Sequence, residues 1–374
     1  MRYFLIAGEA SGNLHATRLI EQLKIQDPGA QFYYYYHPEL AYMGYVSVIV
    51  HLGKILHGLN ACKQEITTWK PDCLILVDYP GFNLKIADFA HKNVHVPVFY
   101  YISPKIWAWK ESRIKAIRRN VTSILSILPF EKEWYAQRNY QNVRYVGNPS
   151  VEEIDEFLKN KQTDSMAFRK KHCLDERPII AILAGSRKQE IELNLSYMVR
   201  AASYYSKDYQ LVAAVAPTVE TSLIQRVIAN YPIKVITDDT YHVLQHSTAA
   251  LVTSGTATLE TALLEVPQVV CYRTHFPHIA NILRHIVLKV KYVSLVNLIV
   301  QRSLVKELLT SDVTIQNIQQ ELGRILPGGD KRQEILTGYR LMRKILGRHN
   351  TTENAAYHII SLMQSNRCQN SAIK

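Results

Sequence analysis

Cysteine is scarce and dispersed in this chain. Cys62, Cys73, Cys173, Cys271 and Cys368 form no CxxC pair, and no histidines cluster at metal-ligand spacing. That pattern argues for a reducing compartment and against a structural zinc. No run approaches the roughly 20 apolar residues of a membrane-spanning helix, so any contact with a membrane is expected to be made by lying on it. Internal repeats and low-complexity tracts are missing as well. Met1 to Ala7 resemble the opening of a signal peptide but meet Gly8-Glu9 too soon, and are read as a first β-strand.

Acidic residues are also in deficit: 32 Asp and Glu stand against 44 Lys and Arg, a net charge of +12. Such an excess suits an anionic partner, whether nucleic acid, a phosphorylated substrate or an anionic membrane surface. With 47% apolar and 20% charged residues the composition is globular, and 374 residues exceed what one core usually supports, so two domains are expected.

Strand-like runs alternate with helical patterns through most of the chain, the signature of parallel βα units. The first array has strands near 2–7, 32–36, 73–78, 97–102 and 123–128, with helices near 14–25, 43–69, 84–92, 109–120 and 130–139. A polar, charged stretch then runs from Gly147-Asn148-Pro149 to about Asp175 and reads as a linker. The second array has strands near 178–184, 210–216, 233–237, 249–253 and 267–272. Beyond about residue 300 only helical patterns are expected, ending in an amphipathic segment near 351–365 and a frayed tail from Ser365. The fold class is therefore α/β, with two doubly wound domains and ligands collecting at a cleft between them.

Two strand-to-helix turns carry the clearest chemistry. Ala249 to Thr253 read as a buried strand, Ser254-Gly255-Thr256 as a turn, and Ala257 onward as a helix with Glu260 one turn in. The free N–H groups and positive end of such a helix suit a diphosphate, and Glu260 could accept hydrogen bonds from ribose hydroxyls. Upstream, the strand Pro178 to Ala184 leads into Gly185-Ser186-Arg187 and a helix near Lys188-Gln189-Glu190. An arginine there can bring a permanent, forked cation to a phosphate. Either turn alone could simply be a tight corner; two of them in one array strengthen the nucleotide reading.

In the first half, Gly8-Glu9-Ala10-Ser11-Gly12-Asn13 follows the first strand at the place where dinucleotide enzymes carry GxGxxG, but with a different spacing. Its glycines and hydroxyl suit a sugar or phosphate, the alternative for Ser11 being an N-cap. Asp78 ends the strand Cys73 to Val77, where partial desolvation would raise its basicity; it could take a proton from an attacking hydroxyl or bind amides of the next turn. Tyr100 to Lys110, followed by Arg113, Lys115, Arg118 and Arg119, interleave aromatics with cations. That suits nucleic acid, sugar stacking, a lipid interface, or a helix with a buried Trp and a solvated face.

From Val266 to Lys306 there is no Asp or Glu, while Ile279, Ile282, Leu283, Ile286, Val287 and Val290 fall at helical spacing. An apolar stripe flanked by Arg284, Lys289 and Lys291 suits a headgroup layer; a core helix explains the stripe but not the missing acids.

In chain order, the segments GEASGNLHA, LILVDYPGFN, YYISPKIWAWK, ILPFEKEWY, VGNP, LAGSRKQEI, TSGTATLE and KYVSLVNL resemble the lipid-A-disaccharide synthase family from residue 8 to about 310. The resemblance implies a GT-B fold. Residues 1–160 would form the acceptor-binding domain, with a helix at about 348–366 packed back on it, and 165–347 the donor-binding domain. It also implies an inverting reaction without metal or cofactor. A UDP-2,3-diacylglucosamine donor and a 2,3-diacylglucosamine 1-phosphate acceptor would be joined at the inner face of the cytoplasmic membrane, with room for a homodimer and no nucleic acid.

Carried over residue by residue, Asp78 would be the general base. Arg187, with Gly185, Ser186, Glu190, Ser254, Gly255 and Thr256, would hold the diphosphate, while Glu260 and Asn297 would sit beside the donor. Gly8, Glu9, Ser11, Gly12, Asn83 and Ser103 would line the acceptor side, and Arg284, Lys289 and Lys291 would meet the anionic membrane surface. The chain departs from the family at Asn13 and Gly81, each a usual Asp. It also departs after Tyr36, where about twenty family residues (the scale of an ordinary αβ insertion) are shortened over 32–44. Alternatives are another GT-B enzyme, either a UDP-sugar epimerase or a polyisoprenoid-sugar transferase, or a family member that binds its ligands without turnover.

Overall fold

The computed structural model describes the chain except residues 9, 37–51, 218, 274–290, 349 and 373–374, and describes residues 10, 11, 52 and 366–372 by backbone only. It divides into two compact units, Met1–Pro149 with Arg348–Lys374, and Ser150–Gly347.

The first unit holds a parallel six-stranded sheet: β1 (Arg2–Ala7), β2 (Gln31–Tyr36), β3 (Cys73–Val77), β4 (Val98–Tyr101), β5 (Ser123–Ser126) and β6 (Val143–Tyr145), in the order β2-β1-β3-β4-β5-β6. These strands read as nearly unbroken apolar runs because both faces are covered. Alternate residues divide between two cores. Phe4, Ile6, Leu74, Leu76 and Tyr100 pack on one side, and Tyr3, Leu5, Ile75, Val77 and Phe99 on the other. The second core is closed by Ala16, Leu19 and Leu23 of the helix Ala10–Gln26 and by Ala355, Ala356, Ile359 and Met363 of the helix Thr351–Ala372.

The second unit holds β7 (Ile179–Leu183), β8 (Gln210–Val215), β9 (Ile233–Thr237), β10 (Ser247–Thr253), β11 (Gln268–Tyr272) and β12 (Lys306–Leu309), in the order β12-β11-β10-β7-β8-β9, again all parallel.

Four expectations are corrected. β6 and β12 were not foreseen: β6 has three residues, and β12 begins with Lys306-Glu307, a polar pair that an edge strand tolerates and an apolar-run criterion misses. The stretch taken as a linker is folded into the helices Pro149–Asn160 and Ser165–Lys171, because Val151, Ile154 and Phe157 give the first a buried stripe and Phe168 anchors the second. Asp164 caps the second helix, accepting from the N–H groups of Met166 and Ala167. The last helix continues to Ala372, since no proline or glycine interrupts it after Thr351.

What the sheets do for function lies in their order. β1 and β3 are neighbours although the chain visits β2 between them, and β7 and β10 are neighbours although β8 and β9 intervene. These are topological switch points, where the turns leaving two adjacent strands diverge and open a crevice beyond the strand ends. The turns singled out in the sequence leave these four strands.

Candidate active site

In the first unit, the turn after β1 meets the turn after β3. A Cβ placed on Gly8 would lie 2.5 Å from the Tyr79 ring, so only glycine allows this approach. Asp78 and Tyr79 both take left-handed backbone conformations, φ 45° and 47°. Non-glycine residues rarely adopt this geometry, and it persists only where the surroundings impose it. Here they do. The Asp78 carbonyl accepts from the Asn83 amide at 2.7 Å and from the Tyr100 hydroxyl at 2.6 Å, its N–H donates to Tyr101 O at 3.3 Å, and Pro80 opens the next helix, Pro80–Phe89. Burial pushes the Asp78 carboxyl above its usual range, opposed by the nearby Lys105 ammonium and the Tyr79 N–H.

Two acceptor-side expectations change character. Asn83 is fully buried and its amide donates to Val77 O and Asp78 O, so it holds the Asp78 turn; its Oδ1 has no hydrogen-bond partner among the described residues. Ser103 is buried and donates to Glu131 at 2.7 Å. Ser103 and the amide nitrogen of Asn83 are thus engaged inside the unit. Gly8 and Gly12 are buried, and a Cβ on Gly12 would make ordinary contacts with Ala7 and Val77, which marks it as a close helix-to-strand packing point. Glu9 and the side chain of Ser11 lie outside the described residues.

In the second unit, the β7 and β10 turns converge as neighbours. Gly185 has φ +109°, and a Cβ there would meet Glu190 Oε2 at 2.6 Å. Glu190 pairs with Arg187 at 3.1 Å, leaving the arginine 58% exposed, and its other guanidinium nitrogens make no hydrogen bond among the described residues, so they can fork onto a phosphate. Ser186 and Thr256 are exposed, and a Cβ on Gly255 would meet nothing within 4 Å, so the start of the helix Thr256–Leu263 faces open space. The Ser254 hydroxyl donates to Val293 O at 3.2 Å. One turn along, Glu260 is partly buried and pushed up to about 7 by that burial and then by the Glu153 carboxylate, while the Tyr241 hydroxyl works in the opposite direction.

Asn297 lies beside the start of β12. It is fully buried; its amide nitrogen donates to Val305 O and Glu307 Oε1, both at 2.9 Å, and its Oδ1 accepts from the N–H groups of Leu304 and Val305. Both polar atoms of the side chain are engaged in bracing the start of β12. Of the residues expected at a membrane surface, Lys291 is exposed, and Arg284 and Lys289, with the stripe from Ile279 to Val290, lie outside the described residues.

Three residues escaped the sequence reading. Glu131 is a buried carboxylate, Lys105 is the cation beside Asp78, and Tyr241 reaches Glu260 from the helix Thr240–Gln245. Lys105 stood among the interleaved aromatics and cations of Tyr100 to Lys110 without a role of its own, and Glu131 stood only within the segment ILPFEKEWY.

Two parallel α/β sheets, each with a polar site at its switch point, define a protein of the GT-B class. The fold is shared with solved structures of low sequence identity. The UDP co-structure of S. aureus MnaA aligns with a TM-score of 0.65 at 14% identity, covering 97% of both chains. The calicheamicin glycosyltransferase CalG4 aligns with a TM-score of 0.57 at 13% identity, covering 96% of this chain and 98% of that one. Sequence is more specific. The lipid-A-disaccharide synthetase family matches residues 3–360, and lipid-A-disaccharide synthases of Myxococcus xanthus and Coxiella burnetii (strain CbuG_Q212) are 35% and 32% identical, over 98% and 96% of this chain and 98% of each relative. The chain belongs to the lipid-A-disaccharide synthase family, glycosyltransferases of lipid A synthesis.

Proposed function

We propose that the chain transfers 2,3-diacylglucosamine from its UDP conjugate to the 6-hydroxyl of 2,3-diacylglucosamine 1-phosphate, forming the β-1,6 disaccharide 1-phosphate and UDP. Asp78 takes the hydroxyl proton as the oxygen attacks the donor's anomeric carbon, and the bond to the diphosphate breaks on the opposite face with inversion. Arg187 and the helix start at Ser254-Gly255-Thr256 receive the charge that develops on the departing UDP. Gly185, Ser186 and Glu190 shape that diphosphate site, and Glu260 accepts from the ribose hydroxyls.

The observation that carries this reading is the Asp78 turn: a carboxylate at the C-terminal tip of a buried strand, held in a strained backbone conformation and made more basic by burial. A base poised in this way serves proton abstraction better than a solvated carboxylate does. The acceptor approaches through the Gly8 to Gly12 turn, including Glu9 and Ser11. Its acyl chains and the +12 charge support a peripheral position on the anionic inner face of the cytoplasmic membrane, with Arg284, Lys289 and Lys291 as contacts and a homodimer as the assembly.

Incubation of the purified chain with donor and acceptor tests the reading. The expected product by mass spectrometry is the disaccharide 1-phosphate with one UDP per linkage. UDP release or sugar epimerisation without a disaccharide would favour an epimerase-like activity instead.

A further inference from the structure

The segment Ser103–Trp107 is anchored at both ends by a single buried carboxylate. Glu131 is 1% exposed and accepts from the Ser103 hydroxyl at 2.7 Å, from the Trp107 indole N–H at 2.8 Å, and from the Ser126 hydroxyl. The Tyr135 hydroxyl adds a hydrogen bond to Pro104 O at 3.3 Å. Ser103, Pro104, Ile106 and Trp107 are all buried, and Lys105 alone is exposed. A carboxylate is almost never buried so completely unless pairing or hydrogen bonds offset its desolvation. Here its three donors fix one short loop, and what the loop presents is an ammonium group.

That ammonium makes no hydrogen bond or ion pair among the described residues, and its loop leaves β4 beside the Asp78 turn, where Val77 pairs with Tyr101 and the Asp78 N–H donates to Tyr101 O at 3.3 Å; its charge opposes the upward shift of both the Asp78 and Glu131 carboxyls. A cation held beside a proposed base, yet not closed onto any carboxylate, is free to pair with a ligand's anion. In the acceptor proposed above, the phosphate lies on the same sugar ring as the reacting hydroxyl.

The geometry points to Lys105 as the residue that binds the acceptor's phosphate beside Asp78, with Glu131 as the positioning residue that holds it there. This inference rests on the reading of Asp78 as the base. It also gives Glu131 a function: loss of its grip would let the loop relax and move the cation away from the site.

The test is calorimetric binding of 2,3-diacylglucosamine 1-phosphate and of its phosphate-free counterpart, each in mixed micelles without donor, to the full chain. The wild type is expected to prefer the phosphorylated ligand. Lys105→Gln should weaken that ligand about tenfold and erase most of the preference, the usual scale for losing a charge-assisted hydrogen bond, while Lys105→Arg should retain most of it. Ser103→Ala and Trp107→Phe, each removing one donor from Glu131, should reduce the preference by a smaller factor in chains that still fold. An undiminished preference in Lys105→Gln, or none in the wild type, overturns the assignment of Lys105. A normal preference in both loop variants overturns that of Glu131. Turnover is read separately: an active Asp78→Asn would defeat the base reading, whatever the binding experiment shows.

Discussion

The Tyr241 hydroxyl stands 3.2 Å from Glu260 Oε1 and 3.4 Å from Glu153 Oε2, so one phenol is positioned between two carboxylates. It has a single proton to donate, and the carboxylates repel each other across it. Burial and this repulsion hold Glu260 near 7. A ribose diol needs acceptors, so nucleotide binding should strengthen as Glu260 ionises. The affinity for a UDP-sugar is expected to rise between pH 6 and 8. Tyr241→Phe removes the hydrogen bond that favours the ionised form, which should weaken binding several-fold at pH 7, on the order of 1 kcal/mol, and move the midpoint of the rise to higher pH. A pH-independent affinity in the wild type would contradict this.

Stability should move in the opposite sense. The carboxyl of Glu260 is raised from its ordinary value of 4.5 to about 7, so the folded state disfavours ionisation. Its contribution is complete below about 4.5 and is lost as pH rises through about 7. Glu260→Gln, which cannot ionise, should flatten the fall in the urea midpoint over that window. An equally steep fall in the variant would place its origin elsewhere.

Arg187→Ala should reduce UDP affinity about tenfold or more, the scale of a lost charge-assisted contact, with little change in thermal stability because the side chain is largely exposed. Unchanged affinity in equilibrium dialysis would remove it from the diphosphate site.

For Asn297 the structure favours a folding role. Asn297→Ala would leave Val305 O, Glu307 Oε1 and two backbone N–H groups without their present partner. A loss of about 2–4 kcal/mol in denaturant unfolding is expected from several buried groups left unpaired. A variant of unchanged stability that had lost UDP affinity would restore the asparagine to the donor site.

The βα alternation was legible because strands covered on both faces leave nearly continuous apolar runs such as Cys73–Val77 and Ile179–Leu183. The turns after β7 and β10 were legible because small residues mark a tight passage from a buried strand into a helix. Burial of individual polar side chains was not. Asn83, Ser103 and Asn297 were expected as ligand contacts because they are polar residues in segments that resemble the family, and the structure buries all three with hydrogen bonds to nearby loops. Glu131 was opaque for the converse reason, since nothing in a sequence distinguishes a carboxylate hydrogen-bonded by three buried donors from one in water. Edge strands such as Lys306–Leu309 also escape, because exposure on one side removes the apolar run.

Exchanging Lys289 and Lys291 together for Glu should reduce binding to anionic vesicles, each lost cation removing about 1 kcal/mol near the surface. Flotation with and without phosphatidylglycerol checks this. Equal recovery of variant and wild type would leave the basic stretch without a membrane role.

The account stands most directly on a comparison of wild type and Asp78→Asn in single-turnover transfer, with UDP affinity measured on the same samples. Loss of the base is expected to slow disaccharide formation by about 10²- to 10⁴-fold, with UDP bound as tightly as before. Wild-type turnover in the variant, or loss of UDP binding together with activity, would contradict the assignment of Asp78 as the proton acceptor.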